Sequence, residues 1–150
     1  MPFLIVLALV IIGLLAAYAW RLTRQVQVQE AEKIQRNADL LEQIERQRLE
    51  NNRSIQIIAQ GFMQNQVTAT EASIRIRGLL LLLEVDESIQ EEFKAFFLLA
   101  DATQHIPILD AWNALSRDEQ RGFDKQRLQL ETMHREFVED ATGRILGRTF

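Results

Sequence analysis

From Phe3 to Trp20 the chain reads FLIVLALVIIGLLAAYAW, without a single charge, and Arg21 and Arg24 follow at once. As a helix rising about 1.5 Å per residue, such a run is long enough for the hydrocarbon core of a bilayer. Leu, Ile, Val and Phe dominate it, and each favours insertion by about 0.3–0.6 kcal/mol near the helix centre. Tyr18 and Trp20 stand at the rim, where amphipathic rings prefer the headgroup layer. The positive charges come after the run, which predicts that the rest of the chain lies in the cytoplasm. Ala17-Tyr18-Ala19 also fits the small-x-small pattern of a signal-peptidase site, so a secreted or periplasmic body is the rival reading. A cleavable signal carries its positive charge before the apolar run, and here the charge follows it. The expectation is an uncleaved transmembrane anchor over 1–20 with the bilayer as a partner. Gly13 and Ala17 form a small-x-x-x-small pair that lets two such helices touch.

Behind this run about 130 residues remain, enough for one modest domain and a connecting segment. The net charge is −4, and there is no cluster of Lys and Arg beyond the juxtamembrane pair. A mildly acidic body argues against nucleic acid as a partner. The chain has no Cys, which excludes disulfides, thiolate catalysis and Cys-ligated zinc. Two Pro and six Gly in 150 residues leave little to punctuate the chain into strands and turns, so the expectation is all-α.

Residues 21–51 are rich in Gln, Glu and Arg, with Glu32–Arg36 and Glu42–Arg46 at i,i+4. A heptad trace through Ile34, Leu41, Ile44, Ile55 and Ile58 is interrupted by Asn37, Arg48 and Asn51, so the coiled-coil signal is weak. This segment reads as a juxtamembrane helical stalk, and a parallel homodimer is the sharper alternative. The domain begins at 52. Ile55, Ile58, Ala59, Phe62 and Met63 give the stripe of a packed helix, and Gly61 within it predicts a close neighbour. Thr68-Ala69-Thr70-Glu71, Ser88-Ile89-Gln90-Glu91 and Ser116-Arg117-Asp118-Glu119 each read as a capping box opening a helix. The helix after Thr68 is apolar on one face (Ala72, Ile76, Leu79, Leu80, Leu83) and on the other (Ile74, Gly78, Leu81), which predicts a central position. The helix after Ser88 carries Phe93, Phe96 and Phe97 as core and ends before Pro107. A short helical turn over 108–115 holds Trp112, read either as a cap on the bundle's end or as a partner anchor. The last helix runs to about 146 with Phe123, Leu130, Met133, Phe137, Val138, Ala141 and Ile145 on its apolar side. The whole is an N-terminal transmembrane helix (1–20), a stalk helix (21–51) and a bundle of about four helices (52–150).

The motifs of chemistry are absent from the sequence: no Gly-rich phosphate loop, no nucleophile elbow, no paired histidines at zinc-protease spacing. His105 and His134 are the two imidazoles, with Asp101 four residues before the first and Glu131 three before the second. Glu131-Thr132-Met133-His134 has the Glu-x-x-His form of di-metal bundles, but such sites need two of these elements. His134 therefore reads as a core or boundary histidine, with a metal site from Asp101, His105, Glu131 and His134 as the alternative. Arg75 and Arg77 flank Ile76. They suit either anion recognition or ion pairing with Glu71, Glu84 or a neighbouring helix.

Three blocks, NRSIQIIAQ (52–60), EASIRIRGLL (71–80) and TQHIPILDAWNALSRDEQRGFDKQR (103–127), resemble an uncharacterised proteobacterial membrane-anchored family, domain-of-unknown-function family 2489. The resemblance implies a helical domain anchored in the bacterial cytoplasmic (inner) membrane and carries over no catalytic residue, metal or cofactor. The expected function is a non-enzymatic, membrane-tethered module that binds a protein partner from the cytoplasmic side. The alternatives are a metal-binding or enzymatic bundle using His105 and His134, and a dimeric scaffold built on the stalk.

Overall fold

The computed structural model describes the backbone of residues 2–150 and the side chains of 13, 15, 18, 20, 33 and 35–150. Six helices follow one another: α1 (Pro2–Met63), α2 (Ala69–Leu82), α3 (Glu87–Glu92), α4 (Lys94–Ala102), α5 (Leu109–Asn113) and α6 (Arg117–Ile145). No strand occurs among the described residues, as the all-α expectation required. The chain divides into two compact units, Met1–Arg46 and Gln47–Phe150.

The first unit is a stretch of α1. Gln35 donates to Asp39 and Arg46 pairs with Glu42, the i,i+4 contacts that hold a solvated helix. The Glu32–Arg36 pair lies outside the described residues. Leu40, Leu41 and Ile44 are exposed.

The membrane anchor is corrected here. Among the described residues no helix is long and apolar enough to cross a membrane. A span needs about 20 predominantly apolar residues in succession. The described stretch of α1 instead sets Lys33, Arg36, Asp39, Glu42, Glu45 and Arg46 among its apolar residues. The single-pass topology, the bilayer as partner, the inner-membrane location and the cytoplasmic facing all depended on that span and are withdrawn with it. The run 3–20, with its Gly13–Ala17 pair and its small-x-small motif, lies outside the described side chains except at Gly13, Leu15, Tyr18 and Trp20.

The second unit owes its helices to local chemistry at their ends. α1 stops in a Schellman turn: Asn65 takes φ 57°, its N–H donates to Phe62 O, and the Gln66 N–H reaches Gly61 O. A Cβ on Gly61 would meet Val67 Cγ2 at 3.1 Å, so the close approach expected there is to the chain just past the helix end. α2 opens on Thr68, whose hydroxyl accepts the Glu71 N–H. Glu71 does not complete the box, because its carboxylate is drawn to Arg75 at 2.8 Å. The Ser88 box does not form. Asp86 lies two residues earlier and caps instead, accepting from the Ile89 N–H and the Ser88 hydroxyl, and these bonds hold its pKa below the ordinary value. The Ser116 box is complete, with Ser116 Oγ accepting the Glu119 N–H while Glu119 accepts from Ser116 N–H and Oγ.

The core joins Ile55, Ile58, Ala59 and Phe62 of α1 to Ala72, Ile76 and Leu80 of α2, Phe96 and Leu99 of α4, and Val138, Ala141 and Ile145 of α6. The helix expected from 88 to 106 is broken at Phe93 (φ −106°, ψ 22°) into α3 and α4. The break turns the Phe93 ring fully inward, near Phe96 (6.4 Å) and edge-on to Phe150 (5.7 Å). α6 departs from expectation as well: Met133 and Phe137 are 70% and 68% exposed, its fully buried residues lie from Val138 onward, and Leu130 packs on the core from mid-helix.

Past α6 the chain turns at Gly147 (φ 79°) and runs back along α1. Asn52 takes hold of Phe150 twice, accepting its N–H at 2.7 Å and donating to its carbonyl at 2.9 Å. Gln56 accepts the Gly147 N–H and donates to Ile145 O and Arg148 O. Buried amides matched in this way hold non-helical backbone that would otherwise need water.

Two outcomes follow. Asn52→Ala strands the Phe150 N–H, while the Phe150 carbonyl keeps Arg48 Nε at 2.9 Å, and should lower stability by about 1–3 kcal/mol, read as a shifted urea midpoint with unchanged slope. The Glu119 pKa is lowered, first by the Ser116 hydroxyl and then by its backbone N–H. A depressed folded pKa gives stability that is present above the ordinary glutamate value and is lost as pH falls through the folded one. Ser116→Ala should raise the Glu119 pKa in an NMR titration and flatten that acid-side dependence.

Candidate functional site

α2 meets the core with one face, and its other apolar face does not find a helix to pack on. Ile74 and Leu81 remain 47% exposed. Together with α4 and the loop after it they form an open hollow of about 370 Å³, walled by Ile74, Gly78 and Leu81 on one side and Thr103, Ile106 and Ile108 on the other. A second hollow of about 270 Å³ adjoins it, sharing Ile74, Thr103, Ile106 and Ile108 and extending to Pro107, Leu109 and Trp112. A Cβ on Gly78 would have nothing within 4 Å, so the space beside α2 is open at this glycine.

The walls are fixed by polar contacts at their edges. Arg77 pairs with Asp101 of α4 at 2.6 Å and lies over the Phe97 ring at 5.8 Å, tying α2 to α4. Arg127 pairs with Asp124 on its own helix. Glu131 of α6 accepts the Thr70 N–H at 3.1 Å and so caps the first turn of α2 from a distant part of the chain. Thr103 turns its hydroxyl back to Leu99 O and Ala100 O. Thr70 Oγ1 and Arg77 Nε are buried without a partner, in residues that line the hollows.

Leu109 carries strain at the outer lip. Its φ of 52° lies in the left-handed region, which costs a residue with a Cβ on the order of 1–2 kcal/mol. Ile108 and Leu109 are 70% and 78% exposed. Trp112 is half-buried and lines the second hollow, so it belongs to the groove rather than to the closure of the bundle's end.

The four residues of the alternative metal site are not brought together. Asp101 is taken by Arg77, Glu131 by the amide of Thr70, and His105 lies with Nε2 3.2 Å from Gln126 Oε1 and its ring 6.5 Å from Phe123. His134 is half-buried on α6. Among the described residues no three His, Cys, Asp or Glu could hold a metal ion, which corrects the reading of a bundle built on His105 and His134. The physical cause is competition, because each carboxylate has a nearer cation or amide to serve. Arg75 pairs with Glu71 as anticipated. The groove itself was missed. Its sequence signal is the second apolar face of α2, which periodicity alone assigns to burial.

Glu131→Ala should destabilise the protein by about 0.5–2 kcal/mol, the usual cost of a lost N-cap, and should speed amide exchange at Thr70 more than elsewhere in α2. Urea unfolding and NMR exchange measure the two effects.

No curated protein and no solved structure matches the chain. Residues 12–145 match the family described as Protein of unknown function (DUF2489). With the match covering most of the 150 residues, the chain belongs to that family.

Proposed function

We propose that the unit 47–150 is a non-catalytic binding domain, and that the groove between α2, α4 and α5 takes a small amphiphile whose aliphatic or aromatic body fills the two hollows. The observation that carries this is the pair of adjoining hollows sharing the apolar wall of Ile74, Ile106 and Ile108. The larger hollow, at about 370 Å³, falls within the range of small-molecule pockets, about 300 to 1,000 Å³ with apolar walls and a few polar groups, and the smaller one extends it. Thr70, Arg77 and Gln104 supply such groups for a polar head. The charged residues at the rim hold the walls: Arg77 with Asp101, Arg127 with Asp124, Glu131 with α2. That use of carboxylates supports binding over proton transfer.

Gly78 offers a clean test, because the space around it is open and a larger residue there favours the helix. 1-Anilinonaphthalene-8-sulfonate should bind the full chain saturably at one site and shift the emission of Trp112 in a Trp20→Phe background. Gly78→Leu should weaken that binding by at least about tenfold, some 1.4 kcal/mol, without lowering the thermal midpoint. Binding that Gly78→Leu leaves intact counts against the groove. A probe that binds nowhere on the folded chain removes the reading altogether.

A further inference from the structure

The segment from Pro107 to Leu115 borders both hollows yet contributes nothing to the core. No residue of α5 is buried. Ile108 and Leu109, the most exposed large apolar residues of the groove, stand at its lip with Leu109 in a costly backbone conformation. Both ends of the segment are anchored. Before it, Ile106 is buried and the Thr103 hydroxyl is bonded to α4. After it, the Ser116–Glu119 box fixes the start of α6, and within the segment a side-chain bond from α6, Gln120 Nε2 to Trp112 O at 3.0 Å, is a contact that closure exchanges. Exposed apolar side chains on a strained turn between two firm anchors describe an element with a second position to take.

We infer that Pro107–Leu115 is a lid that turns about Leu109 and closes on a ligand in the groove, burying Ile108 and Leu109 against it. This rests on the ligand-binding reading above. In the open form the strain at Leu109 and the wetted surfaces of Ile108 and Leu109 are both unfavourable. An apolar body in the hollows supplies the surface that closure needs, so ligand and lid stabilise each other. Trp112 rides on the lid and lines the second hollow, so its environment changes with closure.

Because the chain has no cysteine, two can be introduced without background labelling. Spin labels at Asn113→Cys on α5 and Arg75→Cys on α2, both exposed positions, report the distance across the groove. Adding 1-anilinonaphthalene-8-sulfonate should shorten the main distance, and amide exchange over 107–115 should slow by about tenfold. The Gly78→Leu variant should show neither change. If the probe binds while the distance stays the same, the lid is overturned and the groove stands. Absence of probe binding overturns both.

Discussion

α2 has two apolar faces and one helical neighbourhood. Ala72, Ile76 and Leu80 are sealed against α1, α4 and α6, and that contact sets the positions of everything else in the domain. Burying three such side chains contributes several kcal/mol, at about 25 cal/mol per Å² of apolar surface. The opposite side of the helix, with Ile74, Gly78 and Leu81, is left over. A helix fully enclosed by its bundle would have needed a further helix where the groove lies. α5, at five residues, is too short to serve as one and packs no side chain into the core.

The domain holds this unfilled side open with charge and amide contacts. Arg77–Asp101 and the cap from Glu131 tie α2 to α4 and to α6 along the groove's margin. Exposed ion pairs are individually weak, but these two contacts join different helices and limit how far the walls can collapse. The result is an open apolar groove whose margin is tied by these two contacts and whose lining keeps two unpartnered polar atoms, Thr70 Oγ1 and Arg77 Nε. At the chain's last turn two side-chain amides, buried Asn52 and half-buried Gln56, hold the backbone in the same way.

The helical character, the start of α2 at Thr68, the start of α6 at Ser116 and the short turn carrying Trp112 were legible from spacing and cap chemistry, because those signals are local. The rest depended on contacts between residues far apart in sequence. Periodicity marked both sides of α2 as apolar and could not say which would find a neighbour. It placed Met133 and Phe137 on the packed side of α6, where both are exposed while Leu130, Val138, Ala141 and Ile145 pack. Ser88 looked like a cap until Asp86, a stronger acceptor two residues earlier, took the amide of Ile89. The carboxylates beside His105 and His134 looked available because the sequence does not show Arg77 meeting Asp101 or Glu131 reaching Thr70. The anchor reading rests on the apolar run with Tyr18, Trp20, Arg21 and Arg24 at its end, and no described helix meets the length and apolarity of a span.

The clasp at the end of the chain has an evolutionary corollary. Asn52 and Gln56 grip peptide groups, which every amino acid carries, and largely ignore what projects from them. Sequence drift over 146–150 should therefore be tolerated most widely at exposed Thr149, and only among apolar residues at Leu146, which packs against the core. It should be resisted at Gly147, where a side chain would oppose the bend, and at Phe150, whose ring rests on Phe93. In distant members of the family, the glutamine and asparagine on the first helix would then be better markers of this closure than the tail they secure.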